Sequence, residues 1–436
     1  MAEPAKGRGI LHLARRAGWS VADQALSSLS NLVLALLVAR AVDADGFGAF
    51  TVAFAVYSSG VLLSRTLVSQ PLAVRFAGAD RADYRRAVGM STGTAVVLGL
   101  AGGVAVVLVG ALLAGPIGGA LAAVGLALPG LLLHDAWRMA FIIQGRPERA
   151  VLLDVVSIAL QVGAVVWLLQ MDVDDPVPFV LGWGAAASLA SVVGVALGPV
   201  LPRLSRTRRW LRAHWDLTRY LLSESVLVQG AFQGALLLVG VFATLRDVGA
   251  LRGAAVVVGP VSLLAMSAQA FGIPELARRT GLSVRRQRLA AALIGGLLAA
   301  IGAAWGLLVL AMPESVGEYL LGDSWPGVQP ILLPTVLGQV VNLISVGAIC
   351  VIMARAQVRT AFLINGTVAV LLVGLGVLGA WLAGAAGAAW GFTAAYATVM
   401  PIWIWSMLRA SRPSRQPLPA IDPARVPRPD GHPTPD

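Results

Sequence analysis

Apolar runs long enough to cross a bilayer recur along the whole chain, broken by short polar turns. The stretch 20–76 sets the pattern. Its run from Leu32 to Ala41 is largely apolar, Asp43 to Gly46 form a tight acidic turn, and a second apolar run ends on Arg75. This reads as a helical hairpin. Asp23, Ser27 and Asn31 are spaced four residues apart, so they share one helix face. A polar face at membrane depth is costly against hydrocarbon, so this one is expected to face other helices or water.

A spanning helix needs about 20 mostly apolar residues. By that measure the chain predicts about twelve spans, near 20–41, 47–68, 88–114, 117–144, 150–171, 177–200, 217–243, 250–273, 287–311, 327–354, 358–382 and 386–408. The loops support the order. Arginines fill the N-terminus and every second loop: Arg81, Arg85 and Arg86; Arg146 and Arg149; Arg203 to Arg212; Arg278 to Arg288; Arg355 and Arg359. The alternate loops are acidic or neutral, with Asp43 and Asp45, Asp172 to Asp175, Asp247 between Arg246 and Arg252, and Glu314 to Asp323. The positive-inside rule then places both termini in the cytoplasm of a multi-pass plasma (inner) membrane protein.

The chain also repeats itself weakly. Pro71 to Arg75 has the spacing of Pro274 to Arg278, and Asp23, Ser27 and Asn31 have a counterpart in Ser225, Gln229 and Gln233. The expected organisation is therefore a cytoplasmic N-terminus 1–19, a bundle 20–205, an Arg-rich linker 206–216, a second bundle 217–410 and a cytoplasmic tail 411–436. An even number of spans in each half relates the two bundles by a pseudo-twofold along the membrane normal. The tail has eight prolines and few large apolar residues, so it is expected to be disordered.

Composition narrows the class. The chain is 57% hydrophobic and 13% charged with a mean hydropathy of +0.79, where a soluble domain carries about 25% charge. The net charge of +11 lies mostly at the ends of spans, which argues for topology and against nucleic acid. Cys350 is the single cysteine and there are four histidines, so neither a disulfide framework nor a His-rich metal site is expected. Lys6 is the only lysine and there is no GxxxxGK[ST], HExxH or GxSxG. The expectation is a non-enzyme without a cofactor. No cleavable signal peptide is read, because the first apolar segment runs on directly into a second.

The candidate chemistry is polar groups within spans. Asp23, Ser27 and Asn31 on the first span, and Glu224, Ser225, Gln229 and Gln233 on the seventh, are read as facing walls of a hydrated cavity. Helix–helix hydrogen bonding is the competing reading. His134, Asp135 and Arg138 cluster on the fourth span, with Asp135 and Arg138 at i, i+3 and Asp154 on the next span able to neutralise Arg138. Arg40 sits at the end of the first span, where snorkelling explains it. Arg65 lies inside the second span, where a fixed cation suits a phosphate. Pro71 and Pro274 are expected to kink the second and eighth spans.

The hairpin SNLVLALLVARAVDADGFGAF, the stretch DAWRMAFIIQGRPERAVLLD, GIPELARR and LGDSWPGVQPILLP together resemble the multidrug/oligosaccharidyl-lipid/polysaccharide exporter superfamily, and within it the polysaccharide (O-antigen-type) flippase branch. The likeness runs to about residue 410 and rests on order more than on any single motif. It implies an all-α, MATE-like fold of two six-helix bundles rocking about a cleft. It further implies translocation of a polyprenyl-diphosphate-linked oligosaccharide, with Arg65, Arg40 and Arg138 suited to meet the diphosphate and sugar. The partners so implied are that lipid-linked glycan, membrane lipids and other polysaccharide assembly proteins. A coupling ion, Na+ or H+, is left open. Three alternatives stay open: a cation-coupled multidrug-type antiporter using Asp23, Glu224 or Asp154, a membrane glycan polymerase or ligase, and an inert assembly scaffold.

Overall fold

The structure, a computed structural model, describes residues 29–228, 230–278 and 283–410. Asp23, Ser27, Gln229, the segment 1–19 and the tail 411–436 lie outside these, as do the side chains of Glu224 and Pro274. Every regular element among the described residues is helical. In order they are α1 (Leu29–Ala41), α2 (Ala44–Phe76), α3 (Arg81–Ala111), α4 (Pro116–Ile143), α5 (Pro147–Gln170), α6 (Pro176–Leu197), α7 (Thr207–Val228), α8 (Gly230–Phe242), α9 (Leu245–Val258), α10 (Pro260–Arg278), α11 (Val284–Leu310), α12 (Glu314–Leu321), α13 (Leu332–Ala354) and α14 (Val358–Ala410).

Eight of the described helical stretches are long and apolar enough to cross a membrane, and α9 with α10 makes a ninth if the bent pair counts as one span. The difference from about twelve has physical sources. α1 and Gln233–Phe242 are short apolar helices within the described residues. The longest helix, α14, folds back on itself where Ala383 and Gly384 leave helical geometry. Gly384 has φ +56°, which an L side chain rarely adopts. Asp247 supports that reversal by accepting a hydrogen bond from the Ala385 N–H at 2.9 Å.

Two departures from the expected pattern shape the centre of the molecule. The break in the eighth span falls at Gly259–Pro260, where α9 and α10 meet at 60°, while helix α10 runs on through Pro274. The second departure is in α2. It is continuous from Ala44 to Phe76 but widens to a π turn over Arg65–Ser69, just before Pro71. Proline has no N–H, so Leu67 four residues back loses its helical donor. Trp210 of α7 replaces it, its indole Nε1–H donating to the Leu67 carbonyl at 3.0 Å.

The halves meet at both ends of α2. At the acidic end, α2 packs on α9 so closely that a Cβ on Gly48 would enter the Leu245 carbonyl. Arg246 pairs with Asp45 beside it at 3.1 Å. At the arginine-rich end, Thr66 donates to Ser225 Oγ at 2.9 Å, and Arg75 reaches Asp216 and the Ala213 carbonyl, both at 2.6 Å. Phe47, Phe50 and Phe54 of α2 are buried against the core, and Phe54 stacks on Trp183 of α6 with 5.7 Å between centroids.

Candidate functional site

Two polar regions lie inside the molecule. The first is an ionic cluster among α2, α4 and α5. Asp135 and Arg138 share a face of α4 at i, i+3 spacing, and Asp154, Ser157 and Gln161 form a buried stripe on α5. Arg65 enters from the first residue of the π turn and grips Asp135 as a fork, with Nη2 to Oδ1 at 2.7 Å and Nε to Oδ2 at 3.0 Å. Arg138 lies between two carboxylates, 3.5 Å from Asp135 Oδ1 and 3.3 Å from Asp154 Oδ2. His134 Nε2 approaches Asp154 at 3.8 Å. Asp135, Arg138 and Asp154 are each 4–5% exposed. Two guanidinium groups facing two carboxylates cancel, which is how charge is tolerated at membrane depth. The enclosed space is small, about 50 Å³, and Asn31, Tyr57 and Gln161 reach it.

The second region is a cleft of about 760 Å³ bounded by α1, α2, α8, α9 and α10. Asn31 and Leu32 of α1 and Phe54 and Ser58 of α2 line it together with Gln233, Arg252 and Met266 of α8, α9 and α10. A neighbouring cavity of about 320 Å³, which shares Arg252 and Ser262 with the cleft, is lined from α13 and α14 by Thr335, Gln339, Asn342 and Tyr396, which supply amide and hydroxyl groups. Arg252 borders both spaces. Its guanidinium carbon lies 4.1 Å from the Phe54 ring centroid, and its Nε is buried without a hydrogen-bond partner. No carboxylate pairs with it among the described residues. The aromatic face offsets part of the charge and leaves donors for an anion in the cleft.

The expected site residues separate accordingly. Asn31 and Gln233 line the same cleft, one from each polar stripe. Arg65, His134, Asp135, Arg138 and Asp154 gather in the ionic cluster, so Arg65 is held by a carboxylate where the sequence suggested a cation open to substrate. Arg40 is at the acidic end, exposed, with its guanidinium 4.3 Å from the Tyr319 ring centroid. Pro71 sits buried in α2, behind the π turn.

Arg252 is the residue the sequence reading did not single out: it falls within the expected span 250–273 but was read only as a flank of Asp247 in the acidic-side turn. Thr244 and Asp247 form a reciprocal capping box that starts α9 at Leu245, which carries Arg252 about two turns into the helix. The T-x-x-D signal was present in the sequence. Among the described residues no group of three or more His, Cys, Asp or Glu is placed to hold a metal ion.

No family model and no curated protein matches the chain. Solved structures do. An inward-facing multidrug-resistance MATE family transporter of the MOP superfamily aligns with a TM-score of 0.68 at 16% identity, over 88% of this chain and 94% of that one. The lipid II flippase MurJ in an inward closed conformation aligns with a TM-score of 0.68 at 13% identity, over 90% and 89%. An outward-facing MATE family transporter of the MOP superfamily gives 0.55 at 13%, over 92% and 95%. The chain thus shares the fold of these MATE family transporters and of MurJ.

Proposed function

We propose that the protein is an alternating-access flippase that carries a polyprenyl-diphosphate-linked oligosaccharide across the plasma membrane, with both termini in the cytoplasm. The observation that carries this reading is Arg252, an aromatic-backed cation with no carboxylate partner among the described residues, bordering a cleft of about 760 Å³. A diphosphate is the part of such a lipid that cannot enter hydrocarbon. A guanidinium binds it through paired charge-assisted hydrogen bonds. The amides and hydroxyls of Asn31, Gln233, Gln339 and Asn342 suit sugar hydroxyls, which need both donors and acceptors. The lipid tail stays in the bilayer while the headgroup exchanges water for these groups.

A cation-coupled drug antiporter of the same fold needs an anionic wall in the cleft. Asp135 and Asp154 are committed to Arg65 and Arg138, which counts against that use of them. Reconstituted protein is expected to flip a polyprenyl-diphosphate oligosaccharide in proteoliposomes. Arg252→Ala should slow it by about 10- to 100-fold, the worth of a charge-assisted contact, and Arg252→Lys should restore part of the rate. Equal flipping by wild type and Arg252→Ala removes the argument. Drug efflux without glycan flipping would replace the flippase with the antiporter.

A further inference from the structure

α7 has two unlike faces. Trp210, His214, Thr218 and Ser225 are buried, stepping along the side that packs on α2. The Trp210 ring stacks on Phe76, and the His214 ring is edge-on to it. The opposite side carries Arg208, Arg212, Trp215 and Arg219 at i, i+4, i+7 and i+11, one exposed stripe. Arg208, Arg209 and Arg212 have no carboxylate partner among the described residues. A solvated charged face does not need large apolar groups. This one has Trp215 at 53% exposure, and the linker before it exposes Leu201 at 73% and Leu204 at 45%. That linker is strapped over the start of α3, where the Arg203 N–H donates to Gly89 at 2.7 Å and Arg85 to the Pro199 carbonyl at 2.7 Å.

The path of α7 says where the stripe lies. Arg75, at the end of α2, reaches the Ala213 carbonyl and Asp216, and Phe76 packs on Trp210 and His214. The first half of α7, with its arginine stripe, therefore lies beside the end of α2 where α2 would leave the bilayer, on the side where the arginine loops collect.

We propose that this exposed face of α7 docks on the anionic headgroup layer of the membrane, with the arginines on lipid phosphates and Trp215, Leu201 and Leu204 at the acyl boundary. The complementarity is of charge and of polarity: cations meet an anionic leaflet, and an indole beside them matches the interfacial zone. The proposal rests on the membrane placement of the fold and not on the choice of substrate.

Full-length protein in neutral detergent is titrated with phosphatidylglycerol and, separately, with phosphatidylcholine, reading the thermal unfolding midpoint. Phosphatidylglycerol alone should raise the midpoint saturably. The triple variant Arg208→Gln, Arg209→Gln, Arg212→Gln should bind it on the order of 100-fold more weakly, at about 1 kcal/mol per arginine. In nanodiscs, the fluorescence lost in Trp215→Phe should be the part quenched by brominated lipid. Equal phosphatidylglycerol binding by the triple variant overturns the proposal. So does a Trp215 component quenched by aqueous acrylamide but not by bromolipid. A short DNA duplex binding as tightly as phosphatidylglycerol also overturns it, by showing a general polyanion site. Loss of flipping in Arg252→Ala leaves all three readouts unchanged.

Discussion

The ionic cluster and the cleft are built from the same residue types and treat charge in opposite ways. In the cluster, every guanidinium faces a carboxylate, and Asp135 serves two arginines at once. In the cleft, Arg252 faces a phenyl ring and amide side chains. The cluster encloses about 50 Å³ and the cleft about 760 Å³. A charge that is already matched holds helices together, whereas one left unmatched beside open space has something still to bind. The comparison teaches that intramembrane charge alone does not locate a site; the balance of charge around it does.

That contrast is most exposed to Asp135→Asn. It leaves Arg65 and Arg138 with Asp154 as the remaining carboxylate of the cluster, so unfolding in detergent should lose about 3 kcal/mol or more. An unchanged midpoint would mean the cluster is not charge-compensated. Asp154→Asn should cost less, about 2 kcal/mol, because Arg138 keeps Asp135. Trp210→Phe keeps the ring against Phe76 but leaves the Leu67 carbonyl without its side-chain donor, for about 1 kcal/mol by the same measurement. Arg252→Leu should not lower the midpoint at all, since it removes an unpaired charge, and a marked loss would reveal a partner and erase the contrast.

Much of this was readable without coordinates, for reasons that differ by residue. The spans are legible because a membrane permits few ways to satisfy the backbone, and apolar length reports them. Asp135, Arg138 and Asp154 were placed together because helical spacing and one short turn suffice. Arg65 was recognised as an intramembrane cation, but its tie to Asp135 spans 70 residues and depends on how α2 and α4 pack. Arg252 fell within the expected span 250–273 but was read only as a flank of Asp247, because Arg246 and Asp247 beside it look like a loop. The hydrogen bonds of the Thr244 cap that turn this stretch into a helix start are local, and a capping rule applied there recovers it. The bend at Pro260 was likewise signalled by a Gly-Pro pair, while Pro274 drew the attention because it matched Pro71 in the repeat.

The wide turn at Arg65–Ser69 contains one residue more than a regular helix would use. Five residues there turn through about the same angle as four in an α-helix. Deleting a single position would let the helix close to ordinary geometry, with Arg65 still on Asp135 and with Arg75 and Phe76 still directed toward Asp216 and Trp210. One surplus amino acid is thus absorbed within a single turn, and α2 keeps its angular phase between the part anchored in the bundle and the part that grasps α7.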